Sequence, residues 1–263
     1  SDGQIVLERA VAEGDATLVA ADEIRIGDQI YAAGNIRVTS GADIIQAGSL
    51  IGAGQDVTLA AERGVTLGGA GVYAGLDEDG QLDQPGRADI KAATHINAPA
   101  TQILASDEIR LVSTDIAVGT DSRLWSKSVR LTAAETLELA GEAQSLSDAV
   151  LDASRLRLSG SLIANQRLLL NAPQLLLEGR AVGLDGITVE AGVGLSLGNT
   201  GSMQTNGETR IFAGGIDNDG QILAARGLTA TAGRYSQTGE LLSGGALSLD
   251  VAGDVSLGGA TRA

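Results

Sequence analysis

The stretch LELAGEAQSLSDAVLDASRLRLSGSLIANQRLLLNAPQLLLEG (137–179) repeats itself. Leu137, Leu156 and Leu175 stand 19 residues apart, and Gly160 and Gly179 keep the same interval. Within it, Leu137/Leu139, Leu168/Leu170 and Leu175/Leu177 are apolar-x-apolar triplets. Alternation at period 2 over so few residues marks strands, because successive strand side chains point to opposite faces.

The pattern extends in both directions. Thr17/Val19 is followed by Ile24/Ile26, Val57/Leu59 by Val65/Leu67, and Ile109/Leu111 by Ile116/Val118. Val129/Leu131 precedes Leu137/Leu139, and Ile187/Val189, Leu195/Leu197, Leu247/Leu249 and Val255/Leu257 continue the series. Thr209, Leu228 and Leu247 are again 19 apart. A third strand per unit is announced by glycine in GDQIYAAG (27–34), GSLIGAG (48–54), GSLIANQ (160–166), GSMQTNG (201–207), GQILAARG (220–227) and GELLSGG (239–245). Even ADEIRI (21–26) and SDEIRL (106–111) look like copies, which places them on the same strand four turns apart.

Three short strands in about 20 residues cannot bury a core alone; stacked turns can. The chain therefore reads as all-β, a parallel β-helix of about 20 residues and three short strands per turn. The usual handedness of parallel connections makes it right-handed. The 263 residues form a single repeat domain of roughly 13 turns at the spacing of such repeats. A helix over LTAAETLELAGEA (131–143) conflicts with the phase of its neighbours. An antiparallel sandwich leaves the 19-residue recurrence unexplained.

Composition fits this prism. Aromatic residues make up only 2% against 37 glycines, so the narrow interior is to be filled by Ile, Val, Leu and Ala. Glycine at the corners is expected to supply positive φ. The chain has no Cys, which excludes disulfides and thiolate metal sites. A net charge of −15 argues against nucleic acid and anionic membrane surfaces as partners. No 18-residue apolar run suggests membrane insertion, and Ser1 begins no signal-peptide pattern. A secreted reading thus makes this an internal piece of a longer protein.

The repeat breaks at GLDEDGQLDQPGRAD (75–89), which reads as a protruding loop, and more weakly over 140–150. Asp77, Glu78, Asp79, Gln81, Asp83 and Arg87 make it the candidate contact surface. A calcium reading of Asp77, Asp79 and Asp83 fails on spacing, since no Glu stands at the twelfth position. Reactive groups are scattered. The pairs Asp22/Glu23 and Asp107/Glu108 lie turns apart, too far to share a glycosidase-type site. His95 is the only His and Trp125 the only Trp; a surface role suits the first, and loop packing or a contact surface the second. Asn199 and Asn218 read as turn residues able to stack in ladders. The expectation is no enzyme, no metal and no cofactor.

The turns NTGSMQTNGETRIFAGGI (199–216) and NDGQILAARGLTATAGRY (218–235) carry an Asn-x-Gly-x-apolar pattern, and AAGNIRVTSGADI (32–44) and GAGQDVTLAAERGVTL (54–67) a Gly-(Gln/Asn)-apolar version. These resemble the repeats of filamentous haemagglutinin and the large exoproteins of bacterial two-partner secretion, including contact-dependent growth inhibition proteins. The resemblance implies a right-handed β-helix, export through a dedicated outer-membrane transporter, and display on a Gram-negative cell surface. The NPNG-type secretion motif and VENN-type pretoxin motif of such proteins are absent here, so the resemblance is to the filament. It implies a stalk presenting an adhesive or toxic tip, a role in virulence or toxin delivery, and no transferable functional residues. A receptor- or glycan-binding adhesin module is the alternative, with a polysaccharide-cleaving enzyme behind it. The excised segment is expected to be mostly monomeric, with end-to-end association through its terminal strands.

Overall fold

The computed structural model describes residues 3–48, 50–69 and 71–263. They contain no helix and wind as a β-solenoid of about 13 turns, each of about 20 residues. The chain divides into two compact units, residues 1–134 with 141–143 and residues 135–140 with 144–263.

In the first unit each turn contributes a strand to three parallel ladders. The first ladder runs through Ala16–Ala20, Ile36–Ser40, Val57–Ala61 and Arg87–Ala92. The second includes Ile44–Ala47, Gly64–Gly68 and His95–Ala100, and the third Leu50–Ala53, Gly71–Ala74 and Gln102–Ala105. β-Branched side chains stack inward: Ile24 pairs with Ile44, Ile44 with Val65, and Val65 with Ile96. These β-branched residues are fully or almost fully buried and fit a pleated surface well.

The second unit has the same plan, with leucine more frequent than isoleucine at its inward positions. Leu137, Leu156, Leu175 and Leu195 are successive register partners, so the 19- and 20-residue intervals of the sequence are the rungs of one ladder. Its third ladder ends in a column of small residues, Ala164, Gly183, Thr205, Ala224 and Ser243. There the chain turns toward the next strand, and Ser243 Oγ donates to the Gly245 and Ala246 carbonyls, 3.2 and 3.1 Å away.

Several details differ from the sequence reading. LTAAETLELAGEA contributes to the strand Ser128–Leu139, as its phase requires, but the break read over 140–150 holds the strand Glu142–Ser145 and the start of Ala149–Asp152. Thr17 and Val19 face outward, Val19 being 53% exposed, while Leu18 pairs with Val38. ADEIRI and SDEIRL are not on one ladder. Ile24 belongs to the second, whereas Ile109 pairs with Ala88 on the first. The turn that carries the 75–86 loop takes 31 residues from Val57 to its partner Ala88, against 21 from Ile36 to Val57, and that surplus shifts the phase.

The corner glycines are also there for a different reason. Positive φ among the described residues occurs only at Gly48, Gly69, Gly71, Gly75 and Gly80, all in the first unit. In the second unit a Cβ on Gly179, Gly220 or Gly239 would overlap the carbonyl oxygen of Gly160, Gly201 or Gly220 one turn earlier. Glycine stacks on glycine because the corners approach within Cα–H···O contact, which a methyl group would block. The same carbonyls accept the next strand's amide: Arg180 N donates to Gly160 O at 2.8 Å and Glu240 N to Gly220 O at 2.8 Å.

Candidate functional site

The sequence-predicted contact loop is ordered by its own first acid. Asp77 Oδ1 accepts from the amides of Asp79 (3.0 Å) and Gln81 (2.7 Å), and Asp77 N donates to Gln81 O at 2.8 Å. An Asp carboxylate bonding the backbone two residues on is the ordinary chemistry of a tight turn, and Gly80, at φ +75°, completes it. The base is pinned where Gln84 N donates to Gly75 O (3.0 Å) and Ser106 Oγ to Gln84 O (2.5 Å). Glu78, Asp79, Gln81 and Asp83 are exposed at its surface. Arg87 and Asp89, placed in the loop by the sequence, stand instead on the strand Arg87–Ala92. The Arg87 amide donates to Asp56 Oδ1 at 2.8 Å, across the first ladder.

What the loop borders matters more. Its Leu76 is 8% exposed and folds back over Gly52, on the outward side of the third ladder. A Cβ on Gly52 would lie 3.0 Å from Leu76 Cδ1 and 3.5 Å from Tyr31 Cδ2. Gly52 belongs to an outward column in which Tyr31 pairs with Gly52, Gly52 with Tyr73, Tyr73 with Leu104, and Leu104 with Trp125. Inward neighbours Ile30, Ile51, Val72, Ile103 and Leu124 are fully buried, so alternation sends the aromatics out. Three of the chain's five aromatic residues thus occupy one face, on alternate rungs.

The rings do not simply stand upright. Tyr73 lies back over Gly71, where a Cβ would come 2.7 Å from Cε2 and 3.2 Å from Cζ. Gly71, at φ +150°, provides the bare backbone on which the ring rests. The Tyr73 hydroxyl donates to Gln102 Oε1 at 3.2 Å, and partial burial raises its pKa above the usual phenol value. The positions two residues before the aromatics carry Gln29, Leu50, Gly71, Gln102 and Arg123, a partly polar row beside the rings. In the second unit the equivalent outward column is mainly aliphatic: Ile163, Val182, Gln204, Leu223 and Leu242.

The sequence pointed to Trp125 alone. Tyr31 and Tyr73 are 42 apart, and Tyr73 and Trp125 are 52 apart. Subtracting the loop surplus makes both intervals two turns, a signal hidden until the register is known.

The remaining candidates do not converge. Glu23 Oε1 accepts from Gln4 Nε2 (2.8 Å) and pairs with Arg25, whereas Glu108 opposes Arg87 on another ladder. His95 is exposed, its ring lying against Gly64 with Nδ1 3.0 Å from Thr94 Oγ1. A G-x-S-x-G spacing that the sequence reading missed, GLSLG (194–198), puts Ser196 inside the strand Gly194–Leu197, not on the sharp strand-to-helix turn of a nucleophile elbow. Asn218 faces the core, fully buried, with Nδ2 3.2 Å from Glu240 O; the polar corner ladder is built by Asp15, Asn35 and Gln55 instead. Tyr235, inward and 2% exposed, shows that the core does admit a phenol where a partner exists; its hydroxyl donates to Gln237 Oε1 at 2.7 Å.

A groove of about 440 Å³ on the second ladder of the second unit contains Arg155, Arg157 and Arg234. Acids occupy these cations: Arg157 meets Glu178 at 2.9 Å, Arg234 meets Asp217 at 2.9 Å, and Arg155 meets Glu135 at 3.7 Å. Among the described residues no group of three or more His, Cys, Asp or Glu is placed to hold a metal ion. The chain matches no protein-family model, no curated protein and no solved structure, so the haemagglutinin-type resemblance stands on the repeat residues themselves.

Proposed function

We propose that this chain is a non-catalytic stalk segment of a large exoprotein, exported through the outer-membrane transporter of a two-partner system and displayed on a Gram-negative surface. It spaces an adhesive or toxic tip away from the cell. The observation that carries this reading is the constancy of the rung register: Gly201, Gly220 and Gly239 follow at 19 residues, each seated on the turn before. A turn of that kind can be added or removed without new chemistry, which is what a spacer of adjustable length requires. Stiffness comes from parallel backbone ladders and stacked apolar columns. The repeat residues that resemble haemagglutinin filaments support the same conclusion.

Two measurements test it. Excising the whole turn 220–238 should preserve the β-sheet circular dichroism, because Asp219 then joins Gly239, the register equivalent of Gly220. A deletion of half that length should unfold the neighbouring turns. In a Gram-negative host, the chain within its parent should reach the surface only with the cognate transporter present. Surface display that ignores the transporter would sink the export part of the reading.

The aromatic column favours a second reading, a binding module that contacts a receptor or glycan through the third-ladder face and the adjoining loop. Removing 77–83 should leave folding intact, since Gly75 and Gln84 are already hydrogen-bonded, and lower adhesion to target cells. Unchanged adhesion would exclude the loop.

A further inference from the structure

We infer that the outward face of the third ladder in the first unit is a stacking platform for a neutral, β-linked polysaccharide lying along the ladder. This rests on the binding-module reading and names its ligand. Tyr31, Tyr73 and Trp125 stand on every second rung, and at the strand spacing successive rings are about 9.6 Å apart. That is close to the two-residue repeat of an extended β-1,4-linked hexopyranose chain, so alternate sugars would each meet a ring. The intervening rungs carry Gly52, covered by the Leu76 side chain, and Leu104, so aliphatic surface lies under the sugars between.

The orientation of Tyr73 fits the same ligand. A ring resting on the bare backbone of Gly71 presents a broad face, the geometry in which aromatic rings receive apolar C–H surface. Sugars also need hydrogen bonds at their rims. Gln102 is exposed and, with its oxygen engaged by the Tyr73 hydroxyl, has amide hydrogens to donate; Gln29 and Arg123 continue the row. On the other side Glu78, Asp79 and Asp83 offer acceptors to sugar hydroxyls. Those acids, on a chain of net charge −15, repel sulfated or uronic polymers and select a neutral one. An extended peptide would place side chains on alternate sides every few ångströms and has no match to the two-rung interval.

Trp125 is the only tryptophan, so its emission reports the platform directly. The full chain is titrated with cellohexaose, mannohexaose, chitohexaose and a heparin hexasaccharide, and its capture by cells is scored with each as competitor. At least one neutral hexasaccharide should shift Trp125 emission saturably, bind more tightly than its disaccharide, and block capture by cells. Tyr73→Ala and Tyr31→Ala should each weaken binding by roughly tenfold, the fold-change of one lost stacking contact. Phe212→Ala, on the other unit, should not alter binding. Circular dichroism verifies that each variant is folded. No saturable shift with any neutral hexasaccharide, preference for the heparin fragment, or indifference to both tyrosine substitutions would overturn the inference. Capture by cells that no saccharide competes leaves a binding module standing with a different ligand. Absence of both removes the two together.

Discussion

Replacing Gly220 by alanine should destabilise the second unit, although nothing about its backbone angles forbids the change. Its φ is not positive, so by conformational freedom alone alanine would be neutral or would stabilise by about 0.4–1 kcal/mol through the unfolded chain. Packing decides the other way. The new Cβ would overlap Gly201 O and sit 2.6 Å from Gly198 O, both of them backbone atoms with little room to yield. Relieving the overlap means lifting the corner, at about 1–3 kcal/mol for overpacking. The lift also weakens the bonds Gln221 N to Gly201 O (3.0 Å) and Glu240 N to Gly220 O (2.8 Å), each contributing about 1 kcal/mol. The total is about 2–4 kcal/mol once partial relaxation is allowed for. Gly192→Ala is the control, because a Cβ there meets nothing within 4 Å. Urea unfolding followed by circular dichroism gives the midpoints. Hydrogen exchange at Gln221 and Glu240 gives the local loss, which a repeat array with imperfect cooperativity can hide from a global signal. Equal midpoints and equal exchange in the two variants would refute the argument that these glycines exist for close stacking.

Leu170→Ala removes a fully buried side chain between Leu151 and Val189 and should cost about 2–5 kcal/mol, read as a lowered urea midpoint. Partial burial raises the Asp148 pKa, but the side-chain and backbone hydrogen bonds and the charge of Arg167 outweigh it and hold the group below its ordinary value. A carboxylate depressed in the folded state stabilises above its unfolded pKa and loses that contribution as pH falls through the folded one. Asp148→Asn should therefore be less stable than the parent at neutral pH and converge with it in acid; a gap that widens on acidification would contradict the sign. Val255 and Leu257 occupy inward register positions yet are 53% and 54% exposed, so amides of Val255–Leu257 should exchange faster than those of Leu175–Leu177. The same exposure should make light scattering grow with salt, as screening over about 10 Å at 0.1 M weakens the repulsion between chains of charge −15.

The sequence carried the ladder but not the phase. Leu137, Leu156 and Leu175 are register partners that happen to share one residue type before the column passes to Ile216 and Tyr235, so over those turns spacing alone reveals it. Thr17/Val19 misled because alternation of two residues has no internal mark of which face is inside; only Leu18 opposite Val38 decides it. The repeated DEIR motif misled for another cause. Corners before different strands demand the same polar-then-apolar change, so similar hexamers arise on different ladders. The platform escaped notice because Tyr31, Tyr73 and Trp125 share no local motif and acquire a relation only through register. The contact loop was legible from its acids and glycines, but its end was not, since Arg87 and Asp89 are as polar as loop residues while serving on an outward strand face.

The 75–86 excursion has a bearing on how such a chain can change. Strands on either side keep their partners in step, Val57 with Ala88 and Val72 with Ile103, although one circuit is half again as long as its neighbours. Extra sequence at the junction between third and first ladders is thus expelled sideways instead of slipping the hydrogen bonds above it. Such junctions are insertion ports. A foreign segment grafted between Ala225 and Arg226, the same junction in the second unit, would be carried outside an undisturbed core. New surfaces can accumulate there by trial, one at a time, while the scaffold that presents them stays as it is.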